Sequence, residues 1–232
     1  MSLEITPIEG IGAVAQGDEV SDLLIEALGS YELENNDIVV VTHKIVSKAE
    51  GAVVVIEGDE EAFKRDIVES QSVSIVRRRG DLIIAETKHG FVCANAGVDR
   101  SNTAEGTMVL LPEDPDRSAH RIRVRLQNHY GVEVGVIVSD TFGRPFRRGL
   151  TDVAIGISGV TGVADLKGTV DWSGRELEVT EIAVADELAA AADLVMGKAD
   201  GIPAAVIRGW KGSRADGKGR DLVRPVEEDL FR

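Results

Sequence analysis

The sequence predicts an α/β protein, α+β-like in character, with mixed sheets and helices flanking them. Three observations predict it. The apolar β-branched runs Ile38-Val39-Val40-Val41 and Val136-Ile137-Val138 lack polar alternation, the pattern of strands buried on both faces. Segments with apolar residues at helical spacing lie between such runs, so strands and helices interleave. The 232 residues are 43% hydrophobic and 28% charged, enough apolar material for a sizeable core. One domain over 1–232 is expected, with room for two lobes but no boundary marked by composition.

Leu3 to Ile8 alternates as a short strand closed by Glu9-Gly10. Asp18 is the expected N-cap of a helix whose Val20, Leu23, Leu24, Ala27 and Leu28 share one face. Glu34 to Asp37 is a turn into the buried strand Ile38–Val41. Thr42-His43-Lys44-Ile45-Val46-Ser47-Lys48-Ala49-Glu50-Gly51 follows. Two lysines and a serine just past a strand end suit a phosphate contact, and a solvated loop fits the spacing equally well. Asp59 to Glu69 reads as a polar helix with Phe63, Ile67 and Val68 inward. Arg77-Arg78-Arg79 is expected as a solvated basic turn. Strands follow at Leu82–Ala85 and Phe91–Ala94, with Lys88-His89-Gly90 turning between them.

Asn95 to Asn102 is a loop of small residues that lets backbone approach a ligand, with Asp99 and Asn102 offering oxygens. A turn held by Asx side chains explains it equally well. Leu111 to Asp116 is a rigid connector, and Ser118 is the expected cap of a helix to about Tyr130. His120 and His129 on that helix read as surface residues. Asp152 to Ser158 alternates as a strand, and Gly156 to Gly168 is glycine-rich without the dinucleotide fingerprint. No Walker A pattern occurs. Asp171 to Arg175 is a turn, Leu177 to Thr180 a strand, and Val184 to Met196 an alanine-rich helix stopped by Gly197 to Gly201. Pro203 starts a last strand, Ala204–Ile207. Lys211 to Lys218 is expected to be a mobile tail, with Val226 to Phe231 docking back.

The net charge of −14 opposes nucleic-acid binding, which needs a basic face. No apolar run approaches the roughly 20 residues of a membrane span, and Met1-Ser2-Leu3-Glu4 does not resemble a signal peptide. The lone Cys93 cannot form an internal disulfide and reads as a small core residue. A cytoplasmic setting is expected.

The most informative stretch runs from Val136 to Gly149. A buried strand delivers Asp140 and Thr141 to a rigid end, where a carboxylate and a hydroxyl can share Mg²⁺ or Mn²⁺. Arg144, Arg147 and Arg148 follow, within reach of an anion held there. Carboxylate, metal, phosphate and arginine form the charge sequence of phosphoryl transfer. A core strand leaving into a solvated basic turn fits this spacing equally well. On spacing alone a metal-dependent GTP hydrolase, a ligase of another carboxylate and a non-catalytic GTP- or metal-binding protein all remain open.

Six motifs in one order narrow the choice: Pro7-Ile8-Glu9-Gly10, Ser47-Lys48-Ala49-Glu50-Gly51, Asn95 to Asn102, Ser139-Asp140-Thr141-Phe142-Gly143-Arg144 with Phe146-Arg147-Arg148-Gly149, Ala154 to Gly159, and Val184-Ala185-Asp186-Glu187-Leu188. From Leu3 to about Gly209 the chain resembles the coenzyme F-420:L-glutamate ligase family, the F-420-0 γ-glutamyl ligases. The resemblance implies a GTP-dependent ligase that joins L-glutamate to F-420-0, or its dehydro form, and adds further glutamates through γ-linkages. It implies Mg²⁺ or Mn²⁺, two ions in all, with K⁺ as activator. It also implies a two-lobed monomer in an intertwined homodimer, with the active site in a groove at the interface.

By matching motif, Asp99, Asp140 and Thr141 are similar to the family's metal ligands. Lys48 and Asn102 resemble its GTP contacts. So do the backbone of Ile11, Gly12, Ala13 and Val14, the pair His43-Lys44, and the turn Met196, Gly197, Lys198, Ala199, Asp200, Gly201 and Ile202. Two departures stand out. Lys198 follows Met196-Gly197 where archaeal members carry an acidic metal ligand, which leaves Asp200 or another group for that role. His43-Lys44 replaces small hydroxyl residues. The chain stops before the flavin-binding reductase domain of two-domain members, so that activity is not expected.

Overall fold

The two unbroken apolar runs lie side by side. Ile38–Thr42 and Gly135–Gly143 pair as parallel strands, with Val39 beside Val136 and Thr42 beside Ser139. The computed structural model describes residues 2–212 and 214–230. Its elements are β1 (Glu4–Ile8), α1 (Val20–Leu28), β2 (Ile38–Thr42), α2 (His43–Ala49), β3 (Val53–Val55), α3 (Glu60–Ser70), β4 (Ser72–Arg79), β5 (Leu82–Thr87), β6 (Val92–Ala94), β7 (Thr107–Val109), α4 (Pro115–Tyr130), β8 (Gly135–Gly143), β9 (Leu150–Ser158), β10 (Ala164–Asp165), β11 (Glu181–Ile182), α5 (Val184–Met196) and β12 (Ala204–Arg208).

The central sheet has the order β1-β12-β2-β8-β9, in which only β2 and β8 are parallel. Both of its faces are covered. Val39, Val41, Val136, Val138 and Val206 face a core with Leu24 of α1, Ile45 of α2 and Leu126 of α4. Ile38, Val40, Ile137 and Ile207 face a second core with Leu188, Ala189 and Ala192 of α5. Double burial is why these strands read as continuous apolar runs. A third, smaller core gathers Val68, Ile83, Ala85, Val98 and Met108, with Phe63 and Ile67 packed against it. It underlies the three-stranded sheet β4-β5-β6 and the pair β3-β7. Mixed sheets with flanking helices are therefore the architecture. Cys93 is buried, and burial pushes its thiol up to about 12, as suits a core residue.

Several local expectations are corrected. Residues 43–49 form α2 directly after β2, so neither a loop nor a turn follows the strand. Ile45, Val46 and Ala49 form an apolar stripe on the core, and this outweighs the polar residues between them. Arg77-Arg78-Arg79 is not a turn but the end of β4, paired with Ile84, Ile83 and Leu82. β4 is an edge strand, where charged side chains are at home. The cap of α4 is Asp114, whose Oδ1 accepts from the Arg117 N–H at 2.9 Å, with Pro115 opening the helix. Ser118 lies inside the first turn. Asp18 does not cap α1. Its carboxylate accepts from the Ala15 N–H, and Glu19 holds the cap position.

Leu177 to Thr180 forms no strand. The short strand β11 lies just after it and pairs with β10. Residues 211–218 are not a free tail among the described residues. The Gly217 N–H donates to the Val160 carbonyl at 3.0 Å, and Arg214 donates to the carbonyls of Glu133 and Asp37. Val226–Glu228 forms a 3-10 turn, and Phe231 lies outside the described residues.

Sheet topology creates one functional edge. Thr42 ends β2 beside Ser139 in the middle of β8, Ala204 of β12 starts beside Val41, and Ile8 of β1 ends beside Ala204. Chain leaving β1 and β2, the second half of β8 and chain entering β12 all meet there. Crevices beyond the carboxyl ends of parallel strands are the usual ligand sites of such sheets.

Candidate active site

A cleft with a cavity volume of about 210 Å³ opens at this edge. Ile11 and Gly12 reach it from the end of β1, and Lys44 and Lys48 from α2. Asp140 and Thr141 reach it from β8. Met196, Gly197, Lys198, Gly201 and Ile202 reach it from the connection between α5 and β12, and Asn102 from the loop before β7. A hollow of about 350 Å³ elsewhere, beside His89, Phe91 and Arg220, is larger but has none of these strand ends.

The anionic wall is built by β8 and β9. A register shift between Val138 and Ser139 breaks the ladder where the strand turns from core to site. Beyond it, Ser139 Oγ donates to Asp152 Oδ2 at 2.8 Å and Thr141 Oγ1 to Asp152 Oδ1 at 2.6 Å. Asp152 is 2% exposed and lies opposite Thr141 in the β8–β9 ladder. Asp140 Oδ1 accepts from the Thr141 N–H at 2.7 Å and lies 3.2 Å from His43 Nε2. His43 Nδ1 is 3.3 Å from Ser47 Oγ. Both Asp140 contacts fall on Oδ1. Among the described residues Oδ2 accepts no hydrogen bond, so one oxygen of this carboxylate is available to a ligand.

The cationic wall faces it. Lys44 Nζ lies 2.7 Å from Asp99 Oδ2 and donates to Ser101 Oγ at 2.6 Å. Lys48 Nζ donates to the Asn102 carbonyl at 2.6 Å. Burial, and then the charge of Lys44, lower the pKa of Lys48. Lys198 Nζ lies 3.1 Å from Asp152 Oδ1 and 3.4 Å from Asp193 Oδ1. Burial alone would lower its pKa, but the carboxylates of Asp152 and Asp193 carry it above the ordinary lysine value. Lys44 and Lys198 are each paired with carboxylates, whereas Lys48 meets only a backbone carbonyl, so its charge is the one most open to an anion entering the cleft. Asn102 has a left-handed backbone (φ 57°), and its loop spans from α2 to the Lys198 carbonyl, which Asn102 Nδ2 approaches at 3.5 Å.

The residues expected from sequence separate clearly. Asp140, Thr141, Lys44, Lys48, Asn102, Ile11, Gly12, Met196, Gly197, Lys198, Gly201 and Ile202 line the cleft. His43 does not. It is 1% exposed and lies behind Asp140, 3.2 Å from its Oδ1, so it cannot touch a nucleotide in this arrangement. Ala13, Val14, Ala199 and Asp200 lie outside the lining. So do Arg144, Arg147 and Arg148. The Arg144 guanidinium donates to the Arg148 carbonyl at 2.6 Å, bracing its own loop, while Arg147 and Arg148 are exposed. Asp99 is one step removed, and reaches the cleft through Lys44. Lys44 and the Ser101 N–H and hydroxyl outweigh burial and hold its carboxyl at about 2. Sequence reading missed Asp152 and Asp193. Asp152 sits within an alternating strand, and only the β8–β9 register places it beside Thr141.

Among the described residues no three His, Cys, Asp or Glu side chains stand close enough to hold a metal unaided. The donor chemistry nevertheless suits a hard cation. Asp140 offers a carboxylate oxygen and Thr141 a hydroxyl oxygen, shared here with Asp152 and Lys198, ligands of the kind that Mg²⁺ and Mn²⁺ take with phosphate and water completing the shell.

Comparison with known proteins adds a different kind of finding. The family described as F420-0:Gamma-glutamyl ligase matches residues 10–209. Relatives named Coenzyme F420:L-glutamate ligase are 45% identical to the chain. The one from Methanothermobacter thermautotrophicus matches over 100% of both sequences. That from Methanocaldococcus jannaschii matches over 93% of this chain and 92% of its own length, and that from Methanopyrus kandleri over 100% and 98%.

Proposed function

The chain belongs to the F420-0:Gamma-glutamyl ligase family, and on that premise we propose that it joins L-glutamate to F-420-0, or its dehydro form, in a reaction driven by GTP. It then extends the product through γ-linked glutamates. The observation that carries this reading is the cleft that Lys44, Lys48 and Lys198 share with the Asp140 carboxylate of β8. That is a site for an anion held against a cation, as a nucleotide triphosphate requires.

Carboxylate and amine do not condense in water without activation. In the proposed sequence a carboxylate oxygen of F-420-0 attacks the γ-phosphorus of GTP, the bond to the β-phosphate oxygen breaks, and GDP leaves. The glutamate amine attacks the acyl phosphate, the carbon–oxygen bond breaks, and phosphate departs as the amide forms. Lys44 and Lys48 hold phosphate oxygens from α2, and Asn102 closes the loop over them. Asp140 and Thr141, with Asp99 brought in from its loop, are the proposed holders of Mg²⁺ or Mn²⁺, and K⁺ is the proposed activator. When bound, the divalent ion supplies charge neutralisation at the phosphate oxygens. Fixing both reactants in register contributes on the order of 7–11 kcal/mol to such reactions. We place the reaction in a homodimer and in the cytoplasm.

The test is a product mass assay with GTP, Mn²⁺, K⁺, L-glutamate and F-420-0. A ladder of glutamate mass increments that disappears without GTP supports the ligase. Phosphate release independent of glutamate would replace it with a GTP hydrolase or a ligase of another carboxylate. GTP binding without turnover would leave a non-catalytic binding protein.

A further inference from the structure

Lys198 stands at the mouth of the cleft and sends its ammonium among oxygens from three elements. Nζ lies 3.1 Å from Asp152 Oδ1 of β9 and 3.4 Å from Asp193 Oδ1 in the last turn of α5, and it donates to Thr141 Oγ1 of β8. Asp152 is 2% exposed, and a carboxylate so deep requires a counter-charge. Among the described residues Lys198 makes the ion pair that supplies it. Two carboxylates and a hydroxyl are the donors a hard cation takes, and here they are arranged around an ammonium. A divalent ion entering the same group would meet that ammonium at contact range, where like charges repel.

We propose that the Lys198 ammonium is a built-in cation of this cleft. It takes the place of a metal ion between Asp152 and Asp193, and so confines divalent metal to the Asp140 side of Thr141. The same three-point contact ties the α5–β12 turn to β8 and β9, fixing the wall against which an anion would rest. The inference concerns the cleft of the proposed ligase but does not rest on ligase activity, because ions are counted without GTP or F-420-0.

The experiment titrates the full chain with Mn²⁺ alone and reads free Mn²⁺ by electron paramagnetic resonance. Lys198→Met removes the charge and keeps the stem, so it is expected to bind one more Mn²⁺ per chain than the unaltered protein. Lys198→Arg keeps a cation and is expected to bind the unaltered number. Adding Asp152→Asn to Lys198→Met is expected to abolish the extra ion. Equal Mn²⁺ numbers for the unaltered protein and a folded Lys198→Met would overturn the proposal. If Lys198→Met does not fold alone, recovery of folded protein on refolding with Mn²⁺ supports the proposal, and no recovery with Mn²⁺ overturns it.

Discussion

Asp140 and Lys48 carry the sharpest predictions at the scale of single residues. Two unit charges about 4 Å apart interact by about 4 kcal/mol at an effective dielectric near 20. Asp140→Asn removes one such charge from the cleft and keeps an oxygen for the Thr141 N–H. Its kcat/KM for ligation is expected to fall by about 10³ with the melting midpoint little changed. Full ligation by the variant with Mn²⁺ would remove Asp140 from the mechanism. Lys48 gives the pH dependence. Its pKa is lowered by burial and by Lys44, so it loses its charge at lower pH than an ordinary lysine. GTP affinity is therefore expected to weaken as pH rises toward that lowered value, while an arginine stays charged throughout. An alkaline limb in GTP titrations that Lys48→Arg leaves unmoved would refute the assignment. At this scale the sequence was legible in bringing Asp140 and Thr141 to the site, although β8 does not end there: it runs on to Gly143, paired with β9, so the two residues stand within the strand and not at its end. The sequence was illegible for Asp152, whose role depends on its cross-strand partner, and misleading for Arg144, whose charge is spent on carbonyls of its own loop.

Elements were read well where both faces are buried and poorly where a helix follows a strand without a break. Ile38–Val41 could be little other than a buried strand. The residues after Thr42 look polar one by one, and only the stripe of Ile45, Val46 and Ala49 against the core reveals α2. Packing of β9 against α4 offers a test at this scale. A Cβ on Gly156 would lie 2.3 Å from the Pro115 carbonyl oxygen, which is backbone and cannot swing away. Next to it, the Ile157 N–H donates to Asp116 Oδ1 at 2.8 Å, a bond that separation of the two elements would stretch. Gly156→Ala is therefore expected to lower stability by about 1–3 kcal/mol, read from the urea midpoint. Gly143→Ala is the control. Its Cβ meets nothing within 4 Å, and a change within about 0.5 kcal/mol is expected. Equal effects of the two substitutions would show that the contact with Pro115 does not set the spacing of β9 and α4.

For the whole molecule, the proposed homodimer has a physical signature that distinguishes it from a charge-held complex. Each chain carries −14, so two chains repel, and salt screens that repulsion. Apolar contact is not screened. The three-stranded sheet exposes Val73, Ile75 and Val76 on β4, Leu82 on β5 and Val92 on β6, a concentration of apolar side chains around the third core. An association built on such contacts holds or tightens as salt rises, whereas one built on opposite charges loosens. Sedimentation is accordingly expected to give about twice the 24.8 kDa chain mass from about 0.05 M to about 0.5 M salt, with no loss at the upper end. Val76→Glu would place a further negative charge on this sheet of an already negative chain. It is expected to shift the protein toward the monomer most strongly at low salt. A 24.8 kDa particle under all these conditions would remove the dimer from the proposed mechanism and leave a cleft that must work within one chain.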